Sequence, residues 1–145
     1  LLDNDFFGQP EEQWKKRIKE IREHNFQVCF NQGINIRLID DTVASNLSTI
    51  NYKDDSFKNK RIYTAWDNIG DEKRFFSGVE LLTKYGIKPQ HIMAYMLIGY
   101  DKKETWKRIW YRFNKMVDFG VLPYPMVYDP LQKKKRFKSF SKICN

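Results

Sequence analysis

The sequence predicts a parallel α/β fold of about five strands and four helices. Three observations carry this expectation. First, five short apolar runs each end in a polar cluster: Leu1-Leu2 before Asp3-Asn4-Asp5, Val28-Cys29-Phe30 before Asn31-Gln32, Ile62-Tyr63-Thr64-Ala65 before Trp66-Asp67-Asn68, residues 93–98 before Gly99-Tyr100-Asp101, and Met126-Val127 before Tyr128-Asp129. Second, these runs recur roughly every 30 residues, the length of one strand-plus-helix unit. Third, most of the intervening stretches carry apolar residues at helical spacing. Parallel α/β folds place their chemistry at the carboxyl ends of the strands. The polar clusters are therefore the candidate functional ends, all on one face. The chain begins in the middle of such a unit, without an initiating Met.

The elements follow in order. Strand one is Leu1-Leu2. Helix one runs over about 10–24. Pro10 suits the first helical position, and Glu11 and Glu12 suit the positive end of the dipole. Its buried stripe is Trp14, Ile18 and Ile21. Strand two covers about 27–31. Helix two starts at Asp40 or Asp41, either of which can cap it, and buries Val43, Leu47 and Ile50. A polar loop over 51–60 leads to strand three at 61–65. Helix three starts near Asp71 with Phe75, Val79 and Leu82 inward, and Gly86 ends it as a left-handed cap. Strand four, 92–98, is apolar almost throughout, the pattern of a strand covered on both faces. Helix four starts after Asp101, which forms a capping box with Glu104, and carries Trp106, Ile109, Trp110, Phe113, Met116 and Val117 as a wide apolar stripe. Gly120 stops it, and strand five is about 124–128. Crossovers of this kind are right-handed, so the strands run parallel. Residues 1–130 form this domain, and 131–145 form a basic tail with a short helix near 136–142.

Composition narrows the function classes. The chain has 145 residues, 30% charged and 41% apolar, as a globular domain with a real core has. No apolar run approaches the ~18 residues that suggest a membrane span. Net charge is +8, but the cations are spread over helix faces such as Lys15-Lys16-Arg17-Lys19, and the one dense run is Lys133-Lys134-Lys135-Arg136. A solvated surface is the favoured account of these charges, and a nucleic-acid or phosphate patch is the alternative. Aromatics make up 16% and fall mostly at core spacing, which favours packing over base stacking. Two cysteines, Cys29 and Cys144, suit a reducing compartment, so a cytoplasmic location is expected. Alone they cannot make a zinc or iron–sulfur site, and His24, ending a helix, and His91, starting a strand, lie at the face opposite the polar clusters.

The candidate ligand residues sit at the strand ends. Asn31, Gln32, Asn35 and Arg37 follow strand two. An arginine with neighbouring amides can hold a carboxylate or ribose hydroxyls. The plainer account has the amides satisfying loop backbone. Trp66 and Asp67 follow strand three, where Trp66 can stack on a flat ring or fill the core, and Asp67 can bind a hydroxyl or amine or cap a helix. Gly99 and Tyr100 follow strand four. Asp101 and Asp129 suit caps or turns. Asp3, Asn4 and Asp5 form an acidic cluster without a partner histidine. The chain has no nucleophile elbow, Walker loop, Rossmann glycine pattern or zinc motif.

At these strand ends the sequence resembles radical S-adenosylmethionine (radical SAM) proteins. Asp3-Asn4-Asp5-Phe6-Phe7-Gly8 resembles their third-strand ending. The stretch from Cys29-Phe30-Asn31-Gln32-Gly33 through Ile34-Asn35-Ile36-Arg37 to Asp40-Asp41 is similar to the fourth strand and its loop. Met96-Leu97-Ile98-Gly99-Tyr100-Asp101 followed by Glu104-Thr105 resembles a late-strand signature. Tyr124-Pro125-Met126-Val127-Tyr128-Asp129 with Arg136-Phe137 is similar to the ending of a phage- and bacterium-borne subgroup. The resemblance spans Leu1 to about Phe140. The CxxxCxxC loop that binds the family's four-iron cluster is absent from this sequence, as is the glycine-rich second-strand segment.

The resemblance therefore implies the C-terminal part of an incomplete parallel (β/α) barrel, a TIM-barrel-like partial barrel. It places Asn31, Asn35 and Arg37 nearest the methionine and ribose part of S-adenosylmethionine. Trp66, Asp67, Gly99 and Tyr100 would lie along the adenine side or substrate pocket. No cofactor is expected in this chain; S-adenosylmethionine and a [4Fe-4S] cluster belong to the intact parent. No catalysis is expected from this chain alone. Its partner is expected to be a second copy, giving a homodimer or larger homo-oligomer, or the missing N-terminal half-barrel. The alternative is a self-sufficient small α/β binding module that takes nucleic acid or phosphate on its basic surface.

Overall fold

The computed structural model describes residues 5–128. The described residues form four α-helices and five strands, with β2 and β3 following each other without a helix between: α1 (Glu11–Glu23), β1 (Gln27–Val28), α2 (Asp41–Ser48), β2 (Asn51–Tyr52), β3 (Ile62–Ala65), α3 (Glu72–Lys84), β4 (Ile92–Ile98), α4 (Trp106–Asp118) and β5 (Leu122–Val127). Every strand pairing is parallel, as the strand-and-helix plan predicts. The strands are divided between two sheets, β1-β2 and β3-β4-β5, and among the described residues neither closes into a barrel.

Two expectations about the strands are corrected here. An unexpected strand, β2, forms at Asn51–Tyr52, in the stretch read as the start of a polar loop. The expected first strand at Leu1-Leu2 lies outside the described residues. The second expected strand, 27–31, keeps only Gln27 and Val28 as ladder residues. Both changes have one cause. The amide of Lys53 donates to Val28 O at 2.8 Å, so the chain after α2 returns alongside β1. Beyond Val28 the chain turns, with Gly33 N donating to Phe30 O at 2.8 Å, and Ile34 N then donates to Tyr63 O at 2.8 Å in β3. The segment after β1 therefore passes from one sheet to the edge of the other.

The core follows the predicted helical stripes. Trp14, Ile18 and Ile21 of α1, Val43, Ala44 and Leu47 of α2, and Phe75, Val79 and Leu82 of α3 are buried in one cluster. Gly86 and Gly120 have φ of +88° and +77°, the left-handed conformation in which glycine ends a helix without a Cβ clash. In β4 the side chains of Ile92, Ala94, Met96 and Ile98 are fully buried, whereas Met93, Tyr95 and Leu97 are half-buried. Strand alternation thus sends every second residue under the helices and the rest onto an open face. The expected covering of β4 on both faces is corrected to one covered face.

The edge strand β5 carries Pro123 and Pro125. The amide of Tyr128 donates to Ile98 O at 3.0 Å. Successive residues alternate direction, so residues 122, 124 and 126 also aim their backbone at β4, and Pro123 and Pro125 face the free edge. That edge lacks two N–H donors, which blunts it against a further strand.

Helix α4 departs most from expectation. Its cap is Thr105, whose Oγ1 accepts from Arg108 N at 3.3 Å, and not Asp101. Asp101 turns the preceding loop by accepting from Lys103 N at 2.8 Å. The inward residues are Ile109, Arg112 and Met116, while Trp110 and Val117 of the expected stripe are exposed.

Gly78 marks a close approach that serves the site. A Cβ there would lie 2.5 Å from Ile36 O and 2.6 Å from Ile36 Cγ1, because the 3₁₀ turn Ile36–Leu38 rests on α3. Gly78→Ala gains about 1 kcal/mol of helix propensity but incurs about 1–3 kcal/mol of overpacking. A net loss of about 1 kcal/mol is expected from urea unfolding, with amide shifts in residues 35–38. A stabilised variant with unchanged shifts would refute the close packing.

Candidate functional site

The carboxyl ends of the parallel strands open onto a trough. Its deeper part, about 340 Å³, lies between the loop after β1 and the end of β3. Gln32, Asn35, Arg37, Trp66 and Asp67 line it together, joined by Asp5. It continues over the open face of the large sheet as a cleft of about 690 Å³, with Asn31 and Asp55 on its wall and Tyr63, Tyr95, Tyr124 and Met126 on its floor. Gln32, Ala65, Asp67 and Tyr95 line both parts, so the two are continuous.

Glycine lets the loop approach the sheet. Gly33 has φ +81°, and a Cβ on it would stand 3.2 Å from Tyr63 O. Ile34 is then held from both sides: its N–H donates to Tyr63 O at 2.8 Å and its C=O accepts from Thr64 Oγ1 at 2.9 Å. Asn35 caps the next turn, its Oδ1 accepting from Arg37 N at 3.3 Å and from Arg37 Nε at 3.1 Å. Arg37 Nη1 reaches Asp71 Oδ2 at 3.3 Å. The guanidinium is thus aimed by two partners, yet the side chain remains 49% exposed. An arginine oriented in this way presents a planar donor edge to an anion.

Trp66 lies 1% exposed beneath the trough. Phe75 stacks on its indole at 5.3 Å and 18°, Phe76 packs edge-on at 5.1 Å, and Nε1 donates to Asn68 O at 2.8 Å. One indole face is therefore taken by Phe75, and the residue packs as core. Asp67 extends the β3–β4 ladder by a side chain, its Oδ1 accepting from Leu97 N at 2.7 Å.

Sequence reasoning missed the group that holds these ends in place. Arg112 is 1% exposed and forks across two strands. Its Nη1 donates to Trp66 O at 2.9 Å and Asp67 O at 3.1 Å, and its Nη2 to Leu97 O at 3.0 Å and to Glu104. Glu104 also accepts from Gly99 N at 2.7 Å. Gly99, at φ +84°, is thereby a turn residue and lines neither the trough nor the neighbouring cleft. The available signal was spacing: Arg112 falls between Ile109 and Met116 on the inward rows of α4.

Tyr100 lies apart from the other candidates, in a cleft of about 760 Å³ beyond the ends of β4 and β5. In the trough, burial raises the hydroxyls of Tyr63 and Tyr95 above the usual tyrosine range. Burial likewise raises the Cys29 thiol, which disfavours the reactive thiolate. Beside Asp55, the Asp54 carboxyl is held down to about 2, first by the Asn59 side-chain hydrogen bond at 2.8 Å and then by Ser56.

Among the described residues no group of three or more His, Cys, Asp or Glu is placed to hold a metal ion. With Cys29 the one described cysteine, these residues do not fit an iron–sulfur cluster. Comparison with protein-family models, curated proteins and solved structures finds no significant match to this chain. No described helix is long and apolar enough to cross a membrane.

Proposed function

We propose that this chain is the C-terminal part of a radical SAM-like (β/α) barrel, with the trough as its share of the S-adenosylmethionine site. The supporting observation is the convergence of Gln32, Asn35, Arg37 and Asp67 from two parallel units on one trough at the strand ends. Arg37, with Asn35 behind it, suits a carboxylate, and the amide of Gln32 and the carboxylate of Asp67 suit amino and hydroxyl groups. The open three-stranded sheet with its half-exposed floor supports this reading, since a partial barrel would present such a face as its inner wall. The chain alone carries no cluster ligand set, so its own chemistry is binding and orientation, and the radical step belongs to the parent. On the same reading the protein works in the cytoplasm. Its exposed inner face then meets the rest of the barrel or a second copy, since the prolines on the β5 edge discourage pairing there.

The test is a titration with S-adenosylhomocysteine followed by amide NMR. Part of a site should bind weakly, with a Kd of about 1 mM. Shifts should centre on residues 32–37 and 67 and vanish in Arg37→Ala. Absence of shifts in that segment would refute the cofactor trough. Micromolar binding would refute the partial-site reading.

A further inference from the structure

The cleft beyond β4 and β5 has a chemistry of its own. Asp67, Asp101 and Glu104 line it together with Lys102, Lys103, Arg108 and Arg112. All three carboxylates are engaged. Asp67 accepts from Leu97 N, Glu104 is paired with Arg112, and Asp101 accepts from Lys103 N and stands 3.9 Å from Arg108 Nη1. Arg112 is consumed by the strand ends. The ammonium groups of Lys102 and Lys103 have no carboxylate partner among the described residues. Across the same cleft, Tyr100 and Tyr128 meet edge to face at 4.7 Å while remaining 63% and 54% exposed.

We propose that this cleft binds a nucleotide-type ligand, its phosphate on Lys102 and Lys103 and its ring on the Tyr100–Tyr128 pair. Lysine is a compact cation that neutralises phosphate without demanding bidentate geometry. Exposed tyrosine faces stack on bases with little regard to which base is present. Arg112 is buried and its guanidinium is taken up by the strand-end carbonyls and Glu104, so it is not available to a ligand here. A volume of about 760 Å³ accommodates a nucleotide-sized ligand. The site goes beyond the cofactor proposal and stands on different residues. The same chemistry serves a free nucleotide or the end of a single strand.

The experiment uses thymidine 5′-monophosphate and an eight-residue oligothymidylate, with amide NMR on the full chain. Shifts should centre on residues 100–104 and 128. The double variant Lys102→Glu/Lys103→Glu should weaken binding about tenfold or more, and Tyr100→Ala several-fold. These side chains are exposed, so melting temperatures should stay unchanged. Thymidine and inorganic phosphate should each bind more weakly than the monophosphate. Tighter binding of the oligomer, weakened by salt, identifies a strand as the source, and equal binding a free nucleotide. Arg37→Ala should leave every one of these results intact, which separates this site from the cofactor trough. Absence of shifts at ~10 mM monophosphate, or binding indifferent to the lysine double variant, overturns the proposal.

Discussion

Arg112→Ala is expected to destabilise the fold by about 3–5 kcal/mol, the cost of breaking a buried ion pair from one side. Arg112 and Glu104 are 2% and 7% exposed in their side chains. Removing the guanidinium strands the Glu104 carboxylate and deprives the carbonyls of Trp66, Asp67 and Leu97 of a donor. The whole stability of a domain is only about 5–15 kcal/mol, so the variant should lose a large fraction of it. Arg112→Lys keeps the charge but cannot fork to three carbonyls, and it should fall between the two. Glu104→Ala added to Arg112→Ala should cost far less than the sum of the single variants, because the stranded charge is gone. Urea unfolding monitored by circular dichroism measures the parent, Arg112→Ala, Arg112→Lys, Glu104→Ala and the double variant. A loss below about 1 kcal/mol for Arg112→Ala would mean the network is not formed in solution.

Trp66→Ala should cost about 3–5 kcal/mol, the range for emptying a buried aromatic site. The indole is 1% exposed between Phe75 and Phe76, and its N–H satisfies Asn68 O. Trp66→Phe retains a ring against Phe75 and gives up only the indole hydrogen bond, since Asn68 O still accepts from Asp71 N at 3.0 Å, so a smaller loss of about 1 kcal/mol is expected. A tryptophan held out to stack on a ligand would behave differently: its alanine variant would keep its stability and lose binding alone. Thermal unfolding and near-ultraviolet circular dichroism separate the outcomes, and a Trp66→Ala protein melting at the parental temperature would remove Trp66 from the core.

Much of the site was visible in the chain as residues but not as geometry. Gln32, Asn35, Arg37 and Asp67 stand out because polar residues cluster where an apolar run stops, and the fold brings them into one trough. The different neighbourhood of Tyr100 could not be read, since strand ends thirty residues apart look alike along the chain. The family resemblance put Gly99 along the adenine side or substrate pocket, and in the fold it is a turn residue whose N–H donates to Glu104. Asp101 and Glu104 matched a capping box three residues apart. Yet Glu104 turns inward to Arg112, because a carboxylate gains more from a buried guanidinium than from an exposed helix end.

By itself the sequence determined the α/β class with parallel strands, the inward rows of α1, α2 and α3, and the glycine endings of α3 and α4. These depend on periodicity and backbone preference within a few residues, and such signals survive any tertiary context that leaves the helix amphipathic. The tertiary structure alone decided that β2 joins β1, that the sheet splits in two, that one face of β4 stays open, and that Arg112 lies inside. Each of these is a choice of partner between segments distant in sequence. Its free energy comes from burial and hydrogen bonds that exist only after the chain has closed the intervening loops, so no local pattern records it.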